Sequence, residues 1–131
     1  MSKNCVRSIL HVVLTLSATI VVGCGANASK QPTDKALAVV EQFLDAWNRG
    51  EPSDKFADSS HPIQGTDPDW QAGYRLSSFL TAEAKQSQDQ PDRIRCRVAL
   101  SLQDPKGRKW DKEVVYDVQM GAKSVIHRAA P

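Results

Sequence analysis

The chain has 131 residues, which is enough for one domain with a hydrophobic core and too few for two independently stable ones. It carries 17 lysine and arginine residues against 15 aspartate and glutamate residues, a formal net charge of +2. A chain so close to neutral gives no electrostatic reason to expect binding to nucleic acid or to anionic lipid headgroups.

The first 24 residues have the pattern of a bacterial export signal. Two basic residues precede a mostly apolar run from Ile9 to Val22, which is too short to span a bilayer as a helix. The residues Val21-Val22-Gly23-Cys24 then resemble the lipobox of bacterial lipoproteins. The resemblance implies a signal peptide at 1–23, lipid on Cys24 and attachment to a membrane of the cell envelope, facing the periplasm or the exterior.

Cleavage before Cys24 would change both the charge and the cysteine content of the chain. Lys3 and Arg7 would leave with the signal peptide, so the mature chain would carry 15 residues of each charge. Cys5 would leave too and Cys24 would be acylated, so Cys96 would remain as a lone thiol. No intramolecular disulfide is therefore expected, and the fold must depend on its apolar core.

A small, polar segment at 24–32 predicts a lipidated tether, and a single domain is expected at 33–131. The domain begins with apolar residues spaced three and four apart, which predicts an amphipathic helix capped by Thr33 or Asp34. Gly50 and Pro52 should end it. The apolar stripe of this helix is formed by Leu37, Val40, Leu44 and Trp47, widened by Ala36 and Phe43.

The middle of the chain has weaker patterns. Residues 53–58 predict one or two helical turns that bury Phe56, and residues 59–71 predict a long loop because of their prolines and glycine. A strand is expected at 74–80. The polar residues at 81–91 then predict an exposed connection.

The clearest pattern is an antiparallel hairpin near the C-terminus. Alternating apolar residues from Ile94 to Leu102 predict a strand with one buried face, and residues 114–120 predict its partner. The sequence Asp104-Pro105-Lys106-Gly107 fits a type I turn with glycine in the left-handed bulge position. That turn sets a register in which Leu102 faces Trp110, and in which arginines of the outer face pair with acidic residues across the strands. A third strand is expected at 124–128.

These elements predict an α+β domain in which an N-terminal amphipathic helix packs on a curved antiparallel sheet of three to four strands. The stretch Phe43-Leu44-Asp45-Ala46-Trp47-Asn48-Arg49-Gly50, the short helical piece after it and the late meander resemble the nuclear transport factor two-like superfamily. Its members wrap a curved sheet around a long helix to form a cone. A cystatin-like roll, which also places one helix against a curved meander, is the alternative.

The superfamily resemblance implies that any catalytic site would use polar residues inside the cone. Tyr74, Tyr116 and His127 are the candidates for such a pocket, with Tyr116 and His127 as a proton-transfer pair. The other inward positions are apolar, which favours a filled core without catalytic residues. Among the tryptophans, one belongs to the helix stripe and one to the sheet face, which leaves Trp70 in the loop as the one free for recognition.

A metal site could be drawn from His61, Asp67 and Asp69, which lie close together in the predicted loop. These are ordinary loop residues, however, and no second histidine or cysteine completes a ligand set, so neither a metal nor another cofactor is expected. Cys96 alternates with core residues and is expected to be an inert buried thiol.

Two functions from different classes follow. The sequence favours a non-catalytic envelope lipoprotein, held to the membrane by lipid on Cys24, whose domain binds a protein partner or has a structural role. The alternative is a small-molecule-binding or minor enzymatic domain of the cone-shaped superfamily, with a pocket between helix and sheet. The state of that space, filled or open, distinguishes them.

Overall fold

A computed structural model describes residues 31–130, and the predicted signal peptide and most of the predicted tether lie outside them. The described chain is an α+β domain. Its elements in order are α1 (Pro32–Asn48), a 3₁₀ turn (Ser53–Phe56), β1 (Ile63–Thr66), α2 (Pro68–Gln71), β2 (Arg75–Gln86), β3 (Arg93–Gln103), β4 (Lys109–Gln119) and β5 (Ser124–Arg128).

The strands form one five-stranded sheet in the order β1-β5-β4-β3-β2. The predicted sheet of three to four strands was therefore one strand short or more, and it is not wholly antiparallel. The added strand is β1, which pairs in parallel with β5, from Ile63 opposite Ser124 to Thr66 opposite His127. It lies in the segment predicted to be a loop. The segment is a strand because it pairs with β5, about sixty residues later in the sequence.

Gly65 shows why β1 can lie so close to the core. A Cβ atom at this position would be 2.9 Å from the carbonyl oxygen of Ile126 and 3.3 Å from the ring of Phe43. Glycine is thus required by the close approach of β1 to β5 and to the helix, although in the sequence it has the look of a loop residue. Gly65, which contributed to the prediction of a loop, is therefore the residue that allows β1 to pack against β5 and α1.

The long amphipathic helix is confirmed, but its predicted start was wrong. α1 begins at Pro32, and its N-cap Gln31 makes no side-chain capping hydrogen bond. Thr33 and Asp34 lie inside the first turn, because proline is well tolerated as the first helical residue. The buried face of the helix consists of Ala36, Val40, Phe43, Leu44, Ala46 and Trp47.

The hairpin of β3 and β4 is confirmed with its predicted register. Leu102 faces Trp110, Cys96 faces Tyr116 and Ile94 faces Val118. The turn closes with a 2.9 Å hydrogen bond from the Gly107 amide to the Asp104 carbonyl, and Gly107 has φ of 88°. Arg95 pairs with Asp117 at 3.1 Å and Arg97 with Glu113 at 3.7 Å on the exposed outer face. Such surface pairs contribute about 1 kcal/mol or less.

β2 is longer than predicted. It continues from Arg75 to Gln86, so the first half of the segment predicted as an exposed connection is strand. Two irregularities, between Leu76 and Ser78 and between Thr81 and Glu83, shift the register against β3. These bulges break the alternation of apolar and polar residues, and that alternation is the signal by which a strand is recognised in a sequence.

The space between α1 and the inner face of the sheet is filled with side chains. Phe43 packs edge-on against Phe56, Trp70 and Tyr116, at centroid distances of 5.3, 5.3 and 6.2 Å. Each fully buried large apolar side chain contributes about 1.5–3 kcal/mol to stability. The residues of the sheet that close this core with at most 1% exposure are Ile94, Cys96, Val98, Leu100, Leu102, Tyr116, Val118 and Ile126.

Candidate functional site

Asp67 has a buried carboxylate whose position is fixed by hydrogen bonds to neighbouring backbone amides and by residues of the sheet. It is the N-cap of α2, and its Oδ1 accepts hydrogen bonds from the amides of Asp69 (2.8 Å) and Trp70 (3.1 Å). Pro68, the first helical residue, has no amide hydrogen to satisfy. The side chain of Asp67 is completely buried, although aspartate is rarely buried without partners.

The other oxygen of Asp67 is engaged by two residues from the sheet. The Tyr116 hydroxyl donates a 2.6 Å hydrogen bond to Asp67 Oδ2, and Arg128 Nη2 lies 2.6 Å from the same atom. Tyr116 and Arg128 are cross-strand partners of β4 and β5, so both point to the inner face. We call Asp67, Tyr116 and Arg128 the buried polar cluster.

Asp69 and Lys112 extend this cluster to the surface. Asp69 Oδ2 accepts a hydrogen bond from Arg128 Nη1 and a 3.0 Å bond from Lys112 Nζ. Two carboxylates are thus matched by two cations. Arg128 Nη2 forms an ion pair with Asp67, and within residues 31–130 neither Nη2 nor Nε of Arg128 has a hydrogen-bond partner.

The protonation states follow from this arrangement. Burial, helped by the negative charge of Asp67, raises the pKa of Tyr116 far above its usual range, so the phenol stays protonated and acts as a donor. Burial opposes ionisation of Asp69, but its hydrogen bonds from Arg128 and Lys112 outweigh it and lower the pKa of Asp69. Burial alone would lower the pKa of Arg128, and the bond to Asp69 reverses the direction.

The buried polar cluster is not accessible to a substrate. A general base must reach the proton that it removes, within hydrogen-bond distance of a bound substrate. Asp67 has no exposed surface, and each of its oxygens is occupied by partners from the protein itself. What the cluster does is join α2 to two strands of the sheet.

The structure separates the candidates for a proton-transfer pair. Tyr116 lies inside, whereas His127 faces Asp117 in the register, is exposed and lies on the opposite face of the sheet. The residue that meets Tyr116 is Arg128, one position along. Side chains alternate between the two faces along a strand, so the register of β5 against β4 decides whether His127 or Arg128 meets Tyr116. The strand at 124–128 was predicted, but no turn motif set this register.

Asp67 was also missed as a structural residue. The sequence Asp67-Pro68-Asp69-Trp70 carries a recognisable signal, since aspartate before proline is a common helix start.

His61, the third residue of the metal site considered from the sequence, does not join Asp67 and Asp69: its Nδ1 is 2.7 Å from the Ile63 carbonyl oxygen, within a local turn. In the described part of the chain there is no group of three or more histidine, cysteine or acidic residues placed to hold a metal ion.

Trp70 is not free for recognition, contrary to the prediction. It is 7% exposed and stacks on Trp47 with centroids 5.5 Å apart and rings nearly parallel, at 6°. Its indole N–H donates a 3.0 Å hydrogen bond to the carbonyl oxygen of Glu51. The capped turn of α2 turns this side chain inward, and only the tertiary structure shows that.

An open groove lies beside this tryptophan pair, at the C-terminal end of α1. Its volume is about 860 Å³. Tyr74, one of the predicted pocket residues, lies on one wall of it and is half-buried. We call this feature the α1-end groove; its lining residues are Trp47–Asp54, Trp70, Gly73–Ser77 and Gln103.

Cys96 is completely buried in the inner face of β3. Burial, with a smaller contribution from the negative charge of Asp117, raises the pKa of its thiol to about 11. A thiol that is neither exposed nor ionised at neutral pH is a poor nucleophile.

Comparisons with known proteins add little. No protein-family model matches the chain, and no curated protein matches it. The crystal structure of TerC co-crystallised with polyporic acid superposes on 73% of this chain and 91% of its own, with a TM-score of 0.45 and 10% sequence identity. At that TM-score the likeness supports no statement about function. Within residues 31–130, no helix is long and apolar enough to cross a membrane.

Proposed function

We propose that this protein is a lipid-anchored domain of the bacterial cell envelope whose role is binding and not catalysis. The anchor rests on the lipobox-like residues that end in Cys24. The binding role rests on one observation: inside the domain, Asp67 has no exposed surface and both of its carboxylate oxygens are occupied by protein partners, whereas the α1-end groove is open to solvent. A lipidated domain with an open groove and a closed interior is suited to holding a ligand or partner at the membrane.

The proposed kinship with the nuclear transport factor two-like superfamily is supported by the order of elements. A long helix, a 3₁₀ turn, a short strand, a second short helix and a long meander follow one another along the chain. The alternative function, a small-molecule-binding or minor enzymatic domain with its pocket between helix and sheet, is less favoured because Phe43 and Tyr116 fill that space.

The anchor is tested by metabolic labelling with palmitate and by fractionation of cells that produce the wild type or Cys24→Ala. We expect the wild type to be labelled and to sediment with membranes, and Cys24→Ala to remain unlabelled. Cys96→Ala is the matched control, and it should keep the label because Cys96 is buried in the domain. Labelling that persists in Cys24→Ala would overturn the proposed anchor.

The closed interior is tested separately with a reagent that acylates accessible phenols. The chain has two tyrosines, of which Tyr74 is half-buried beside the groove and Tyr116 is completely buried. We expect N-acetylimidazole to modify Tyr74 in the native protein and to leave Tyr116 intact until the protein unfolds. Modification of native Tyr116 would show that small molecules reach the interior, and would favour the enzymatic alternative.

A further inference from the structure

The α1-end groove is built as a preformed site. Its two walls are tied together by side chains that donate to backbone carbonyl oxygens. Trp47 donates to Tyr74 at 2.8 Å, and the Asn48 amide donates to Leu76 and Ser77 at 3.1 and 2.9 Å. These bonds join the end of α1 to the start of β2 before any ligand arrives. A groove held open in this way loses little conformational entropy on binding.

The size of the groove suits a small ligand. Its volume of about 860 Å³ falls within the range of about 300–1,000 Å³ that is usual for ligand sites. Gly50 and Gly73 line it with φ of 78° and 85°, and nothing lies within 4 Å of where their Cβ atoms would be. The walls at these two glycines are therefore bare backbone, which a ligand can approach closely.

Charge argues against an anionic ligand. The groove is lined by two cations, Arg49 and Arg75, and two acids, Glu51 and Asp54, so its net charge is zero. Glu51 already binds Arg49 at 2.8 Å and Lys55 at 2.6 Å. The C-terminal end of the 17-residue helix α1 also lies here, and its partial negative charge repels anions and favours hydrogen-bond donors.

The lining argues against an apolar ligand as well. The two stacked indoles at the groove are only 2% and 7% exposed, so they offer edges and no flat apolar face. Besides the four charged side chains, the polar groups that line the groove are side-chain hydroxyls, side-chain amides and backbone. Among residues 31–130, no hydrogen-bond partner is present for the Asn48 amide oxygen, the Tyr74 hydroxyl or the Gln103 amide oxygen.

From these observations we propose that the α1-end groove binds a neutral, polyhydroxylated ligand, namely a short oligosaccharide. Sugar hydroxyls supply both donors and acceptors, without the net charge or the apolar surface that the groove is unsuited to hold. The amide and hydroxyl groups of Asn48, Tyr74 and Gln103 are the expected contacts. Without a stacking platform the affinity should be weak, with a Kd of about 1 mM.

The position of the groove agrees with the proposed anchor, and the biological use of this site rests on that proposed function. α1 starts eight residues after Cys24, and its 17 residues rise by about 25 Å from that end to the groove. The groove therefore lies at the end of α1 opposite to the end that follows Cys24 in the sequence, and a glycan of the envelope could reach it there.

The test is titration of the purified full-length mature protein, in a detergent without a sugar headgroup, with short oligomers of N-acetylglucosamine and of glucose. Calorimetry gives the affinity, and amide chemical shifts give the location. We expect saturable binding, with shifts concentrated at 47–54 and 73–77. Ser77→Phe, which fills the groove, should weaken binding about tenfold or more, equivalent to ~1.4 kcal/mol.

Ser78→Phe is the matched control, because Ser78 is exposed and faces Ser101 on the other face of the sheet. It should change the affinity less than about twofold. Absence of saturable binding by every oligomer would overturn the proposal, as would equal effects of the two substitutions. Tighter binding of an anionic oligosaccharide would also overturn it. The measurement does not depend on lipid at Cys24, so failure of this site and failure of the proposed anchor are separate results.

Discussion

Replacing Tyr116 with phenylalanine removes a single hydroxyl from the interior. That hydroxyl donates a 2.6 Å hydrogen bond to Asp67 Oδ2, and Asp67 has no exposed surface through which water could replace it. A hydrogen bond to a charged group contributes about 1.5–3 kcal/mol. Phenylalanine is cheaper to bury than tyrosine and Arg128 remains beside the carboxylate, so we expect a net loss of about 2 kcal/mol in the free energy of unfolding.

The assay is urea unfolding of the wild type and Tyr116→Phe, followed by tryptophan fluorescence. The midpoint should fall while the slope stays constant, and the thermal midpoint should fall by about 10 °C for a domain of this size. Tyr74→Phe is the control, since the structure gives the Tyr74 hydroxyl no hydrogen-bond partner within residues 31–130, and it should change stability by less than about 0.5 kcal/mol.

The reasoning also predicts coupling between Tyr116 and Asp67. In an Asp67→Asn background the acceptor is no longer charged, so the cost of Tyr116→Phe should fall to about half or less. A cost below about 0.5 kcal/mol in the wild-type background would refute the claim that the hydroxyl stabilises a buried carboxylate.

Two further outcomes are expected. Gly65→Ala should destabilise the fold by about 1–3 kcal/mol, because its Cβ would lie 2.9 Å from the carbonyl oxygen of Ile126. Gly121→Ala, whose nearest atom would be 3.5 Å away, is the control, and equal losses in chemical denaturation would contradict this account. The lowered pKa of Asp69 means that its contribution to stability is complete above its unfolded pKa of about 4 and is lost as pH falls through the folded value. Asp69→Asn should therefore flatten the loss of stability below about pH 4, and parallel pH profiles would exclude this role.

Local patterns in the sequence were enough for the elements whose signals are contained in a few neighbouring residues. The stripe of α1, the 3₁₀ turn that buries Phe56 and the β3–β4 hairpin were all predicted. In the hairpin, the turn at Asp104–Gly107 and the alternation of both strands specify the same register. A slip of one residue would turn every apolar side chain to the solvent, so the two signals agree on one answer.

The strands that were not predicted correctly depend on partners remote in sequence. β1 forms because β5 lies beside it and because Gly65, without a side chain, lets the strand pack closely against Ile126 and Phe43. These partners are remote in sequence from residues 59–71. The second half of β2 was missed because its bulges break the alternation. Trp70 is an exception, because the signal that was missed is local: the Asp67 cap that starts α2 and turns Trp70 inward lies three residues before it.

The same division holds for the function. The lipobox-like residues that predict lipid on Cys24 are visible in the sequence alone, because export and acylation signals are read as linear sequence and need no fold. Only the tertiary structure decided which polar residues meet. It joined Asp67 to Tyr116 and Arg128 across about fifty residues or more, placed His127 on the outer face, and left an open groove at the end of α1. Burial and register are properties of the packed sheet, and both follow from contacts between distant segments.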